Sequence, residues 1–435
     1  MKLAVDQLGQ RLAAELGGDW VSMDASMRAS HAIDGLQPTL ICLPETPDQI
    51  AAALRLCSEA DAAVAPYGGG TALSIGNRPQ RIDVALDLKR LNGVIEHDDA
   101  NLTATVGAGV GLNAFQVMLG RQKQFLAFDP PYLDRATIGG TIAANLNGPR
   151  RSFYGSVRDL VVGMKVVLAS GEQIKAGGKV VKNVAGYDMC KLLVGSLGTL
   201  GIITEATLRT SPVPETAATL IASGVATRIF NLAHDITHSR LLPAAVVLLN
   251  PSACQEMNSG DLNWKLAMGS EGFAETVARH MREAEAMAQR LGLRADLLHG
   301  SLHSQFWAGF RDFPLPSDRL VFRMTVPLAS LAHMVGTIES WQTEEFCPAL
   351  AGDAMAGILW IVAQPSKVAA GQFPKLVDLA RQQHGHGVMF AAPSKWKQSV
   401  DVWGLSPPAL ALMHKIKQQF DPHGMLNPGR HINRI

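Results

Sequence analysis

Residues 63–76 read AVAPYGGGTALSIG, a short apolar run closed by Pro66 and followed at once by three consecutive glycines, Thr71 and Ser74. Ala63 to Pro66 has the composition of a short strand bounded by a turn signal. Just upstream, Thr46-Pro47-Asp48 supplies an N-cap residue, a proline at the first helical position and an acid in the first turn. Apolar residues at helical spacing follow, which predicts a helix from about Pro47 to Asp61. Helix, strand and glycine loop therefore succeed one another without a linker. Glycine lets the backbone take positive φ and approach a ligand with no Cβ in the way, so Gly68, Gly69 and Gly70 can turn several N–H groups toward one anion. With Thr71 and Ser74 beside them they suit a pyrophosphate. The dinucleotide fingerprint and the P-loop pattern are both absent, and Gly107, Gly109 and Gly111 come near the first but lack its spacing.

Two further glycine clusters lie outward from this loop. Residues 136–148, ATIGGTIAANLNG, combine paired glycines, small side chains and two asparagines in an uncharged stretch of the kind a flat ligand needs as a wall. Residues 195–204, GSLGTLGIIT, carry a glycine-punctuated turn into a β-branched strand. Strands are expected at Ile82 to Leu86, Leu102 to Val106, Met164 to Leu168 and Ile202 to Arg209, with short helices near Gly111 to Leu119 and Tyr187 to Leu193. After Thr210, the proline-rich stretch Ser211 to Glu215 cannot continue a central strand, and a domain boundary is placed there. Beyond it come a charged helix, Phe273 to Leu291, strand candidates Leu320 to Val326 and Ile358 to Ala363, and a last helix from about Pro408 to Phe420. These read as a smaller α+β unit and a C-terminal segment.

The 435-residue chain is long enough for two or three domains, and 47% hydrophobic content supplies their cores. With 39 Lys and Arg against 38 Asp and Glu, no charge excess points toward nucleic acid. Cys42, Cys57, Cys190, Cys254 and Cys347 are far apart, with no spacing suited to zinc or an iron–sulfur cluster, and read as reduced thiols of a cytoplasmic protein. Met1 to Leu16 is interrupted by charged and polar residues and reads as an amphipathic helix rather than a secretory signal. No eighteen apolar residues run together, so no direct membrane span is expected, although a partner could hold the chain at a membrane.

Taken in order, PYGGGTALS at 66–74, ATIGGTIAANLNG at 136–148, YGSVRDLVVG at 154–163, the run 178–212 containing GSLGTLGIITEATLRTSP, and FDPHGMLNPGRH at 420–431 resemble the FAD-binding proteins of the vanillyl-alcohol oxidase, or PCMH, type. Within that family the likeness is strongest to the FAD-binding subunits of bacterial glycolate oxidases. The resemblance implies an α+β fold: a PCMH-type two-subdomain FAD-binding domain, a smaller α+β cap domain and a C-terminal return segment. The expected divisions are an N-terminal helical segment at 1–33, the FAD-binding domain at 34–213, the cap at 214–400 and the return segment at 401–435. It further implies that Tyr67, Gly68, Gly69, Gly70, Thr71, Ala72 and Ser74 wrap the FAD diphosphate through backbone N–H groups. Pro130, Thr137, Gly139, Gly140 and Thr141 would lie along the isoalloxazine and ribityl portion, within the stretches Phe128 to Pro131 and Thr137 to Thr141, with Asn145 and Gly148 close by. Gly198, Ile202 and Ile203 would approach from the other wall. Some relatives attach flavin through a histidine in the glycine loop. Here Thr71 follows Gly70 and no histidine lies between His31 and His97, so non-covalent FAD is expected.

The catalytic groups are not identified by sequence. Relatives that oxidise 2-hydroxy acids carry an HxxGDGN motif and a later acidic–histidine segment. The nearest stretch here is HGHGVMF at 384–390, and neither element is present. His384 and His386 form a two-point ligand set or, more simply, a turn between helix and strand, and no metal site is assigned. Arg150 and Arg151 read as a carboxylate clamp or as solvated arginines. Lys182, Tyr187 and Asp188 read as cofactor-facing or as helix packing and capping, and Asn427 as flavin-facing or as a turn residue. The implied role is the FAD-binding subunit of a 2-hydroxy-acid-oxidising complex, its partners a catalytic flavin subunit and an iron–sulfur subunit. A stand-alone alcohol or hydroxy-acid oxidoreductase and a non-catalytic assembly subunit are the alternatives.

Overall fold

The computed structural model describes residues 5–178, 187–260, 262–316 and 318–435. Two compact units emerge: Met1–Leu146 with Val157–Pro212 and Lys397–Ile435, and Asn147–Ser156 with Val213–Trp396.

In the first unit, helix Pro47–Glu59 starts where the sequence places it. Thr46 accepts from Gln49 N, and the Gln49 side chain returns to the Thr46 N–H, which closes a capping box. Its buried face, Ile50, Ala53, Leu54 and Cys57, packs with Leu8 and Leu12 of helix Val5–Leu16 and with Leu40, Val84 and Leu86 of a small sheet. Each of the larger side chains contributes roughly 1.5–3 kcal/mol of hydrophobic stabilisation. That sheet sets Leu40–Cys42, Val84–Asp87 and Val64–Tyr67 parallel, with Val21–Ser22 antiparallel at one edge. The C-terminal segment returns to the other edge: Val64 N donates to Met425 O, and Asn427 N donates to Val64 O. A second, antiparallel sheet runs Val94–Asp98, Thr103–Gly107, Ile202–Arg209, Val161–Val167 and Gln173–Gly177. Past its strand Ile202–Arg209 the prolines leave only the two-residue pairing of Ser211–Pro212 with Gln124–Phe125.

The second unit is richer in strand than the two candidates read from sequence. Among the described residues an eight-stranded antiparallel sheet runs Arg294–His299, Thr216–Gly224, Trp264–Gly272, Ala245–Leu249, Ala349–Asp353, Ile358–Ala363, Leu320–Thr325 and His386–Ala391. Period-two alternation divides its faces. One face meets the helices: Ser270 Oγ lies 2.8 Å from His280 Nδ1 on Ala274–Arg290, Gly352 packs under Leu331, and Gly387 lies against Val377 on Phe373–Gln382. The registers put Thr219, Glu271, Asp353, Trp360, Arg323 and His386 on the opposite, more polar face, where helix Gly300–Asp312 also packs, its Trp307 Nε1 donating to Thr219 Oγ1 at 2.8 Å. No helix among the described residues is long and apolar enough to cross a membrane.

Candidate functional site

All three glycine clusters contribute to one cavity in the first unit. One wall is the loop that leaves strand Val64–Tyr67; the other walls are Thr137, Gly139 and Gly140, the turn at Leu197 and Gly198, and Ile202 and Ile203 at the head of their strand. The glycines are dictated by close approach. A Cβ on Gly69 would enter the van der Waals space of the Arg135 carbonyl oxygen, and Gly198 combines φ of 68° with contact against the Pro66 ring. Tyr67, the first loop residue, is fixed from behind. Its ring lies 4.4 Å from that of buried His31, and its hydroxyl donates to Ser30 O at 3.1 Å. His31 in turn meets Asp87 at 3.0 Å. Burial alone would raise the Asp87 carboxyl, but hydrogen bonds from His31 and Lys89 outweigh it and hold it below the ordinary range.

The polarity of the loop is sorted. The backbone N–H groups of Gly68 through Ser74 donate to no acceptor among the described residues. The carbonyls at the far end of the loop are fully engaged from the back. Arg430 donates to Leu73 O, Ile75 O and Asn77 O at 2.9, 2.5 and 3.0 Å, and Lys397 donates to Ser74 O at 2.5 Å. Asp34 binds both cations, at 3.0 Å to Lys397 and 3.3 Å to Arg430. Burial lowers Lys397 to about 8 and Arg430 to about 10, with Asp34 opposing the shift in both. The result is seven consecutive N–H groups without acceptors among the described residues, backed by two buried cations and one carboxylate, which is an arrangement suited to an anion. Two further buried atoms beside the cavity, Asn427 Oδ1 and Arg430 Nε, have no partner among the described residues. Backbone donors, orphaned polar atoms and glycine-lined walls fit a phosphate-bearing planar cofactor.

Of the residues expected from the sequence, Tyr67, Gly68, Gly69, Gly70, Thr71, Ala72, Thr137, Gly139, Gly140, Gly198, Ile202 and Ile203 line this cavity, and Asn427 does as well. Ser74, Pro130, Thr141 and Asn145 do not. Ser74 contributes its carbonyl to Lys397, Pro130 is buried, Thr141 Oγ1 donates back to Thr137 O, and Asn145 is the left-handed C-cap of helix Ile138–Ala144 at φ 49°. Gly148 belongs to the second unit. Tyr187 is 95% exposed, Asp188 caps helix Met189–Leu193, and Lys182 lies outside the described residues. His384 and His386 are the turn between helix Phe373–Gln382 and strand His386–Ala391, and no set of three metal-ligating side chains occurs among the described residues. Asp34, Lys397 and Arg430 went unread in the sequence; the nearest signal was Arg430 at the end of the terminal NPGR stretch.

Two family models match the chain: an FAD binding domain over residues 38–177, and the C-terminal domain of FAD linked oxidases over residues 383–431. The glycolate oxidase subunit GlcD of Bacillus subtilis is 30% identical over 90% of this chain and 88% of its own length. Subunit GlcE of Escherichia coli is 30% identical over 79% of this chain and 86% of its own. A D-lactate dehydrogenase of Archaeoglobus fulgidus is 30% identical over 91% and 92%. Among solved structures, p-cresol methylhydroxylase superposes with a TM-score of 0.78 at 17% identity, covering 98% of this chain and 96% of that one, a likeness of fold.

Proposed function

Because the chain belongs to the FAD-linked oxidases of the glycolate oxidase and D-lactate dehydrogenase type, we propose that it is the FAD-binding subunit of a complex that oxidises a small 2-hydroxy acid. The observation that carries the cofactor assignment is the row of N–H groups from Gly68 to Ser74 that donate to no acceptor among the described residues. These would hold the FAD diphosphate, with Arg430 and Lys397 fixing the loop from behind. Thr137, Gly139 and Gly140 would lie along the ribityl and ring portion, and Gly198, Ile202 and Ile203 along the opposite side. Among the described residues no histidine or cysteine lines the cavity, which supports a cofactor held without a covalent bond. Bound FAD supplies a two-electron hydride acceptor. The chain's own residues hold it, orient it and exclude water from it. Assignment as a subunit rests on the likeness to GlcE and on the stretch 384–390, where a turn and a strand stand in place of the histidine-rich motif of the substrate-oxidising relatives. A catalytic flavin subunit and an iron–sulfur subunit would complete the assembly, since the five cysteines of this chain have no cluster spacing.

Likeness over nearly the whole chain to D-lactate dehydrogenases favours a second reading, a stand-alone enzyme. Anaerobic mixing of the purified FAD-loaded chain with glycolate or D-lactate separates the two. The subunit reading expects bleaching of the flavin band only after partner proteins are added, and full bleaching by the chain alone would establish independent catalysis. A chain that takes up no FAD at all would overturn both.

A further inference from the structure

The turn between helix Met189–Leu193 and strand Ile202–Arg209 is bent against part of its own sequence. Gly195, Leu197 and Gly198 all take positive φ, at 84°, 52° and 68°. The two glycines do so freely, but the Cβ of a leucine crowds the following carbonyl in that conformation. Leu197 is buried and lines the cofactor cavity together with Gly198. A residue in this region of backbone space persists only where its surroundings over-determine it.

Those surroundings grip the turn from two sides. Its N–H groups go to the end of helix Ile138–Ala144, with Gly195 N donating to Ile142 O at 3.0 Å and Leu197 N to Ala143 O at 2.8 Å. Its carbonyls are taken by the C-terminal segment: Asn427 Nδ2 donates to Leu197 O at 2.7 Å, and Lys417 Nζ donates to Thr199 O at 2.8 Å. Lys417, on helix Leu410–Phe420, is fixed in turn. It donates to Asp421 at 2.6 Å and to Leu426 O at 3.0 Å, while Asp421 accepts from Met425 N and Leu426 N at 2.9 and 2.7 Å. Burial lowers the Lys417 ammonium, with Asp421 opposing the shift. Asn427 itself stands at φ 47°, a conformation asparagine tolerates better than most residues, and its backbone N–H is tied to Val64 O at 2.8 Å. Its amide is therefore aimed at Leu197 by a backbone anchored elsewhere.

We propose that Asn427 and Lys417 are positioning residues for the cofactor, which hold the turn of Leu197 and Gly198 in its left-handed form so that it closes as one wall on the flavin. The inference rests on the FAD reading above and adds what keeps that wall in place. Without the bond to its carbonyl, Leu197 relaxes to negative φ. The wall then opens and admits water to the ring.

The test is Asn427→Gly, since glycine keeps the left-handed backbone and removes only the amide. The FAD dissociation constant, read by flavin fluorescence, should rise about tenfold, the expected cost of one lost buried hydrogen bond. The midpoint potential of the bound flavin should move toward that of free FAD, a shift that loss of stability alone does not produce. Asn427→Asp should lose more, because a carboxylate has no proton to give the Leu197 carbonyl. Leu197→Gly separates positioning from direct contact with the cofactor. Glycine holds the turn unaided, so in that background Asn427→Gly should raise the dissociation constant only about twofold. An equal loss in both backgrounds would overturn the positioning role, as would an unchanged dissociation constant and potential in Asn427→Gly. Should Asn427→Gly fail to fold, the charge-neutral pair Lys417→Met with Asp421→Asn decides by the same two readings. Lys415→Gln, exposed on the same helix, is the control and should hold FAD as wild type. A wild-type chain that takes up no FAD would remove the cofactor reading and this inference with it, whereas FAD held equally by wild type and Asn427→Gly removes the inference alone.

Discussion

Gly69 packs against the Arg135 carbonyl so closely that any side chain must push the two segments apart. Gly69→Val should therefore abolish flavin retention while leaving a folded chain. The check is the visible absorbance of the purified protein beside its far-ultraviolet circular dichroism, and stoichiometric flavin would refute the loop's role. Lys397 gives a pH test. Its folded value of about 8 lies below the 10.5 of an unperturbed lysine. Between those values the unfolded chain holds more protons, so this group's contribution to folding stability rises with pH. Retention of FAD runs the other way, because the loop loses the positive charge behind it. Affinity measured by flavin fluorescence should fall roughly three- to tenfold from pH 7 to pH 9. Lys397→Met should flatten that dependence; a variant with the wild-type slope would place its origin elsewhere. At this scale the glycines were legible, because a run of three announces itself in the sequence. The cations were not: Lys397 reaches Asp34 across 363 residues, and a long-range buried pair leaves no local pattern.

Among the elements, the best-read ones are those whose ends carry their own chemistry. The helix from Pro47 was predicted from Thr46, Pro47 and Asp48, and the structure closes its capping box at that place. Thr46→Ala should cost about 1 kcal/mol, read as a lowered urea midpoint with unchanged slope. Strand Ile202–Arg209 is likewise found at its predicted bounds, where β-branched residues follow a glycine turn. The second unit's sheet was harder. Strands Trp264–Gly272 and Ala349–Asp353 are rich in alanine and glycine, which have low strand propensity, and are held by neighbours on both sides. Their identity comes from pairing rather than from local sequence. Pro130 shows the same limit inside the resemblance: its place beside the motif residues was readable, but whether it borders the cavity depends on how the segment 125–137 folds back.

Across the whole molecule, the family and the α+β class were visible because the motifs keep their order over most of the chain. Less visible was that residues 147–156 group with the second unit, since the motif they belong to runs on without a break in composition. The return of residues 397–435 to the first unit has a consequence for biosynthesis. On a ribosome, the glycine loop emerges long before Lys397 and Arg430, and the whole of 213–396 is made in between. Until then the carbonyls of Leu73, Ser74 and Ile75 lack their donors, and the sheet lacks the strand-like segment beside Val64. Nascent chains arrested before residue 397 should therefore bind no FAD, as measured by filter retention of labelled cofactor on stalled complexes, and chains released past Arg430 should. The flavin would then be a late addition, loaded after translation has passed the second unit, and the partly made protein would be kept free of redox chemistry while it is still being built.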